Sequence, residues 1–341
     1  TSKGPRILVS RTHPELVKRL FEAEVTEIKD LEIIPCGDVI GLKLYTNGVL
    51  IVGMSEVKDM NDKKIKPYEN SKIQEGDTII QINNKEIDSV NTLKDVVNKS
   101  NGKSLDLTLV RDGTILTSSI IPAKISNSEY RLGLWVRDAA TGVGTLTYYN
   151  PQTEEFGALG HGISDSDTGK MIDIESGELV TSKIISITKG MSGTAGELRG
   201  TILNQPTIGT VNKNTNFGIF GLLDKNENLN IDYTKKMKVG LRNELKTGDA
   251  TILCNIDGNG IKEYKIKIEK IYLENNEDNK SFMIRVVDEK LIEQTGGIIR
   301  GLSGAPIIQN EKFVGAITNV LVANPEVGYG IFADLMIKNA K

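Results

Sequence analysis

Residues 300–322 read RGLSGAPIIQNEKFVGAITNVLV, and the reading of this stretch decides the fold class. Gly301 and Gly304 flank Ser303, and Pro306 follows. Then come a strand at Ile307 and Ile308, a turn at Asn310 to Lys312 and a second strand from Phe313. A nucleophilic serine needs a backbone tight enough for its own N–H and that of Gly301 to aim at one spot, where a tetrahedral oxyanion would form. Glycines at 301 and 304 permit such a conformation. Ser303 is therefore the candidate nucleophile, with backbone donors at Gly301 and Ser303. A second run, KGMSGTAGELRG at residues 189–200, puts Ser192 in a comparable setting. It lacks the following proline and has a glycine-rich link in place of paired strands, so Ser192 reads as a turn serine.

A serine hydroxyl is a poor nucleophile at neutral pH and needs a base within hydrogen-bond reach, usually histidine. The 341-residue chain has two, His13 and His161. His13 precedes Pro14 in the first stretch of the chain, whereas His161 sits among small residues in FGALGHGISDSDTG, which leave an imidazole accessible. His161 is the candidate base. A carboxylate is expected to hold the imidazole Nδ1–H. Asp165 and Asp167 share a turn with His161 and read as turn-formers or caps. In FMIRVVD, Phe282, Ile284, Val286 and Asp288 share one face by period two, so Asp288 is expected to continue an apolar face inward. A buried carboxylate needs a partner, and an imidazole N–H would serve. Asp288 is the candidate acid.

Composition narrows the field. With 42 Lys and Arg against 45 Asp and Glu, the net charge is −3, which offers nothing to nucleic acid or an anionic membrane. The 38% apolar content, 34 glycines and single tryptophan describe a soluble, turn-rich globular protein, and no apolar run reaches membrane-spanning length. The two cysteines, Cys36 and Cys254, are too far apart for zinc or thioredoxin spacing and read as buried thiols. Two isolated histidines without an HExxH motif argue against a metal site, and no cofactor is expected. No signal peptide is visible and the sequence opens at Thr1, which is expected of a processed or truncated form.

The length favours two domains. In residues 1–30, an N-terminal arm, Thr12 can cap a weakly amphipathic helix that opens with Pro14 and carries Leu16, Leu20 and Phe21. From residue 31 the pattern turns to short strands. GLKLYTNGVLIVGM places Asn47 and Gly48 between two apolar runs, a hairpin signal. After a polar loop come IQEGDTIIQINNKEI, a helical VNTLKDVVNKSNG with Leu93, Val96 and Val97 on one side, and a hairpin turning at Asp112 and Gly113. These form a small β-barrel over residues 31–123. Residues 124–341 remain β-rich, with hairpin-like pieces in GLWVRDAATGVGTLTYYN and KIKIEKIYLENNEDNKSFMIRVVD.

Three resemblances follow from these residues. GDTIIQINNKEI, the helix after it and LTLVRDG resemble the second half of a PDZ domain, with DVIGLKL at residues 38–44 where such domains keep a carboxylate-binding loop. That implies peptide binding by the backbone of Ile40, Gly41 and Leu42, the peptide adding as a strand beside residues 41–44. The Ser303 region resembles the nucleophile region of chymotrypsin-fold serine peptidases, which implies a double β-barrel and a substrate-pairing strand at Thr318, Asn319 and Val320. The ordered combination of PDZ-like domain, ALGHGISD, KGMSGTAGELRG, TGGIIRGLSGAPIIQ and GAITNVLVANPEVGYG resembles the stage IV sporulation protein B peptidases of spore-forming bacteria.

This last resemblance implies Ser303 as nucleophile, His161 as base and Asp288 as orienting acid. It also implies an N-terminal membrane anchor, self-cleavage, and action in the space between forespore and mother-cell membranes. The substrate there would be a membrane-associated regulatory protein whose cleavage activates a mother-cell sigma-factor pathway. A catalytically inactive PDZ scaffold and a general extracytoplasmic quality-control serine protease are the alternatives, although the latter usually carries its PDZ domain after the protease.

Overall fold

The computed structural model describes residues 28–203, 206–224, 229, 231–273 and 279–340. The helix expected from Thr12 to Phe21, and His13 with it, lie outside the described residues. In chain order the strands of four or more residues are β1 (Glu32–Pro35), β2 (Val39–Met54), β3 (Thr78–Ile82), β4 (Leu105–Arg111), β5 (Thr114–Ile120), β6 (Leu134–Tyr149), β7 (Glu155–Ala158), β8 (Ile174–Thr188) and β9 (Glu197–Ile202). They continue with β10 (Gly209–Thr215), β11 (Gly218–Leu223), β12 (Gly248–Cys254), β13 (Lys262–Ile271), β14 (Phe282–Val286), β15 (Pro306–Gln309), β16 (Lys312–Val320) and β17 (Val327–Phe332). The helices are α1 (Val90–Lys99), α2 (Glu289–Thr295) and α3 (Ala333–Lys338).

The architecture is mostly β and contains two antiparallel barrels. In the first, β2 pairs with β6, β6 with β7, β7 with β11, β11 with β10, β10 with β8, and β8 returns to β2. The second closes in the order β12-β13-β14-β17-β16-β15, with β15 returning to β12. Alternation builds the staves: in KEYKIKIEKI of β13, Tyr264, Ile266 and Ile268 are buried while the charged residues between them face water. Leu42, Phe156, Leu179 and Ile219 fill the first barrel, and Ile252, Ile266, Phe282, Ile307 and Phe332 fill the second. A separate cluster fuses the two: Tyr148 and Phe220 meet Phe313 and Ile331 under Met336 and Ile337 of α3. The Tyr148 and Phe313 rings are 5.8 Å apart. Each side chain buried in this way contributes about 1.5–3 kcal/mol.

The small domain grows from the far ends of two long barrel strands. Val49 and Leu50 of β2 pair with Ile79 and Thr78 of β3, and Leu134 to Arg137 of β6 run beside Met54 to Leu50. β4 and β5 extend this sheet through a hairpin whose turn residues, Asp112 and Gly113, both have positive φ, as expected from the sequence. The α1 helix starts at an Ser89 N-cap and buries Leu93 and Val97 against it.

Two expectations are corrected by these strands. Asn47 and Gly48 make no hairpin, because β2 continues through them as one 16-residue strand, with a register shift against β6 at this point. Likewise, GLWVRDAATGVGTLTYYN holds the single 16-residue strand β6. The apolar runs on either side of Asn47-Gly48 belong to one strand that changes neighbour there, from β8, with Thr46 opposite Ile174, to β3, with Val49 opposite Ile79. Residues 39–46 are therefore a stave of the first barrel, and the small domain is inserted between β2 and β6 instead of beginning at residue 31. Cys36 and Cys254 are buried and unbonded, each in a different barrel core.

Gly48 explains how the chain passes this junction. Its φ is +103°, and a Cβ there would lie 2.5 Å from the Ile79 carbonyl oxygen. Gly48→Ala is therefore expected to destabilise the protein by about 2 kcal/mol, measured by denaturant unfolding, since it combines positive-φ strain with a backbone clash.

Candidate active site

Ser303 stands on a loop that leaves α2 and enters β15, and the first barrel grips that loop. Thr145 of β6, fully buried, donates its hydroxyl to the Gly301 carbonyl at 2.8 Å and its amide to the Ser303 carbonyl at 3.1 Å. Gly304 has φ +95°, and a Cβ on it would meet the Thr145 carbonyl oxygen at 2.3 Å and the Leu159 nitrogen at 2.6 Å. Only glycine fits. On the other flank, the Arg300 amide donates to Gly196 and the Leu198 amide to Arg300, which pins the loop to β9. The amides of Leu302, Gly304 and Ala305 are spent on Ile299, Ile317 and Leu302 carbonyls. Those of Gly301 and Ser303 have no acceptor among the described residues, so both candidate oxyanion donors are free.

The Ser303 hydroxyl donates to the Thr318 carbonyl at 2.9 Å. Thr318, Asn319 and Val320 end β16. Asn319 and Val320 pair with Tyr329 and Gly328 of β17 on one edge, and the edge facing Ser303 carries no strand among the described residues. His161 arrives from the first barrel, one residue after Gly160, where a Cβ would lie 3.1 Å from the Thr318 methyl group. His161 and Ser303 are thus carried by opposite barrels, and the strand end at Thr318 and Asn319 lies near both. A cleft of about 430 Å³ is lined by His161, Ser164, Met171, Asn216, Asn279 and Asn319 among others.

His161 Nδ1 lies 2.8 Å from the Gly162 carbonyl. A carbonyl only accepts, so Nδ1 carries the proton and Nε2 keeps the lone pair of a base. Burial holds the imidazole pKa below its usual value of about 6.5, partly opposed by the Gly162 hydrogen bond. The loop after His161 is braced by Asn214, which accepts from the Ile163 amide at 2.9 Å and donates to the Ile163 and Ile172 carbonyls. It is braced again by Asp165, fully buried at its side chain and paired with Arg137 of β6. Burial alone would raise the Asp165 pKa. The amides of Thr168 and Asp167, the Thr168 hydroxyl and Arg137 outweigh it and hold the carboxyl below the ordinary carboxylate range. Asp167, on the same turn, also reaches Arg137 at 2.8 Å. These two carboxylates are loop braces, as the turn reading expected.

Asp288 is not brought to His161. Strand β14 ends at Val286, so the period-two face stops before it, and Asp288 turns back as the N-cap of α2. Its Oδ1 accepts from the Lys290 and Leu291 amides at 3.1 and 3.2 Å, and its Oδ2 from the Lys265 amide at 3.2 Å. The DEKLIEQTG run, with Asp at the start and Gly296 in the left-handed conformation at the end, is a helix signature that outranks the strand alternation.

The profile of the SpoIVB peptidase S55 family matches residues 128–337. The chain belongs to that family. It is a serine peptidase family, and the matched region takes in the Ser303 loop, His161 and nearly all of both barrels. The S55 match begins within the last part of the small domain, so β2, the first stave of the first barrel, lies outside it. Among solved structures, the inactive form of Rv3671c from M. tuberculosis H37Rv is similar with 12% identity and a TM-score of 0.29, covering 58% of this chain and 79% of that one. The active form of the Rv3671c protease from M. tuberculosis gives 19% identity and a TM-score of 0.27, covering 46% and 70%. A 30-residue stretch is 70% identical to the transcription termination/antitermination protein NusA of Halalkalibacterium halodurans and 73% identical to that of Bacillus subtilis. It spans 9% of this chain and 8% of each NusA.

Within the S55 chain, the expected peptide-binding loop is also corrected. Ile40, Gly41 and Leu42 lie inside the first barrel with both edges taken: Gly41 faces Val143 of β6 on one side and Val180 of β8 on the other. A strand paired on both edges cannot accept a peptide as a further strand. Ser192 is a turn residue as expected, its hydroxyl donating to the Ala323 carbonyl at 2.9 Å. Thr145 and Asn214 carried no signal in the sequence, because a threonine and an asparagine within strands are ordinary until their distant partners are known.

Two outcomes follow for variants of these residues. Thr145→Val keeps the shape but leaves the Gly301 carbonyl without its donor, so labelling of Ser303 by a fluorophosphonate is expected to slow about tenfold or more, with Thr145→Ser close to the parent chain. Asp288→Ala is expected to lower stability by about 1 kcal/mol in thermal unfolding and Asp288→Asn by much less, since asparagine still caps.

Proposed function

We propose that this chain is a serine endopeptidase in which Ser303 is the nucleophile and His161 the general base. The reading is supported by one arrangement: Ser303 donates to the Thr318 carbonyl, Asn319 of the same strand end lines one cleft with His161, and the Gly301 and Ser303 amides have no other acceptor among the described residues. Releasing the hydroxyl from the Thr318 carbonyl costs about 1 kcal/mol, small beside the barrier to amide cleavage. The freed Oγ attacks the scissile carbonyl carbon as His161 Nε2 takes its proton. The Gly301 and Ser303 amides receive the oxyanion, a contribution of about 2.7–4 kcal/mol per donor in comparable sites. The imidazolium then protonates the leaving amine, and water hydrolyses the acyl-enzyme. In this arrangement the Gly162 carbonyl keeps Nδ1 protonated, the task usually given to a carboxylate. A substrate strand would lie along Thr318, Asn319 and Val320, displacing the Ser303 hydroxyl from Thr318 as it binds.

The family supports a role in sporulation signalling: cleavage of the chain itself and of a membrane-associated regulatory protein, in the space between forespore and mother-cell membranes, with the PDZ-like small domain controlling access. The scaffold reading takes its support from the Ser303 hydroxyl, which contacts Thr318 and not His161.

A fluorophosphonate separates the two. Labelling that Ser303→Ala abolishes, His161→Ala strongly reduces and Ser192→Ala leaves intact supports the peptidase; no labelling at any pH supports the scaffold. Because His161 titrates below its usual value, the labelling rate is expected to rise with a midpoint below pH 6.5. The same shift means the unfolded chain takes up the proton first, so the His161 contribution to stability is complete above about pH 6.5 and is lost as the pH falls through its folded value. Loss of labelling in Asp288→Asn with unchanged unfolding would instead return that carboxylate to the mechanism.

A further inference from the structure

A second cavity, of about 420 Å³, lies where the small domain meets the first barrel. It opens at the point where β2 changes neighbours: no strand pairs on that edge between Thr46, opposite Ile174, and Val49, opposite Ile79. Asn47 lies on its floor, and Val110 and Asp112 from the small domain face Lys170, Met171 and Asp173 from the loop that follows His161. Lys170 spans it, with its stem over Gly76 and its Nζ 2.8 Å from Asp112.

Two features point to an occupant. First, this groove adjoins the His161 cleft: half-exposed Met171 lines both, and Asn214 and Asn216, at and just past the end of β10, line the groove and the cleft respectively. A chain that leaves the cleft past Met171 in extended form would enter it, and the edge of β2 at exposed Asn47, which pairs with no strand among the described residues, suits an extended backbone. Second, the groove has an unbalanced charge. Lys170 is committed to Asp112, while exposed Asp173 has no ion-pair partner among the described residues.

We propose that this groove is a second recognition site for the polypeptide substrate, taking an extended stretch away from the scissile bond and pairing one of its lysine or arginine side chains with Asp173. The proposal rests on the peptidase reading and names where that peptidase would hold its substrate. Both cavities fall within the usual size range of ligand sites, about 300–1,000 Å³. The groove also explains a topological cost. An insertion between two barrel strands places the small domain within reach of any chain that leaves the cleft on the Met171 side.

The test is a binding experiment, independent of turnover. A random dodecapeptide library is panned on the full chain carrying Ser303→Ala. Enriched peptides are expected to contain lysine or arginine, and to bind about tenfold more weakly when Asp173→Lys or Val110→Trp is added, with Asp173→Asn between. Asp173 is exposed, so its variants are expected to unfold at the parent temperature and keep the comparison valid should Val110→Trp fail to fold. Enriched peptides without a basic residue, equal binding to parent and Asp173→Lys, or a library that yields no groove-dependent binder would each overturn the proposal. With Ser303 intact, Asp173→Lys is expected to react with a fluorophosphonate at the parent rate. A parent chain that does not react sinks the peptidase reading and leaves the binding result to stand or fall by itself.

Discussion

The absence of a side chain at position 304 is the constraint on which the site depends. The loop carrying Ser303 belongs to the second barrel, and its only way to the base is through contact with the first. A Cβ on Gly304 would lie 2.3 Å from the Thr145 carbonyl oxygen, so any other residue would push the loop away from β6 and break both Thr145 hydrogen bonds to it. With glycine there, the nucleophile loop of the second barrel sits directly on β6 of the first. The Tyr148, Phe313 and α3 cluster supplies the hydrophobic adhesion, and the Thr145 contacts supply the registration.

Around that contact the proposed base is positioned differently from the proposed nucleophile. Ser303 is held by backbone geometry, through positive-φ glycines and amides spent on neighbouring carbonyls. His161 is held by a loop whose bracing is electrostatic, through Asn214, Asp165 and Arg137. Arg137 lies on the part of β6 that enters the small domain, and Lys170, on the same loop as His161, reaches Asp112 at the tip of the β4–β5 hairpin. The small domain therefore contacts the loop that follows His161. Two 16-residue strands, β2 and β6, run through both units, with a register shift in their pairing between Arg137 and Ala139 where the units join.

Much of this was legible in the residues. The PIIQNEKF hairpin, the Asp112-Gly113 turn, the α1 helix and the β13–β14 pair follow from turn chemistry and short-range alternation, and each formed as read. The misreadings share a cause. Asn47-Gly48 has hairpin chemistry, yet its φ > 0 serves a close approach to Ile79 within one continuous strand. Asp288 continues an alternating pattern, yet the helix-start signal after it prevails and turns its carboxylate to backbone amides. Ile40 to Leu42 resemble a peptide-binding loop, yet their partners are Val143 and Val180, over a hundred residues away. In each case a local pattern had two valid readings and a distant neighbour chose between them.

By itself, the sequence determined the β-rich class, the serine with its flanking glycines and, through the scarcity of histidine, the only described imidazole that could serve it. Those are properties of composition and of a few adjacent residues, so no folding knowledge is needed to state them. Tertiary structure alone decided that Gly162 and not Asp288 accepts the His161 Nδ1–H, that Thr145 sets the nucleophile loop, and that residues 39–46 close a barrel. Hydrogen-bond acceptors and strand neighbours are chosen among all groups the fold brings within about 3 Å, and most of those lie far apart along the chain.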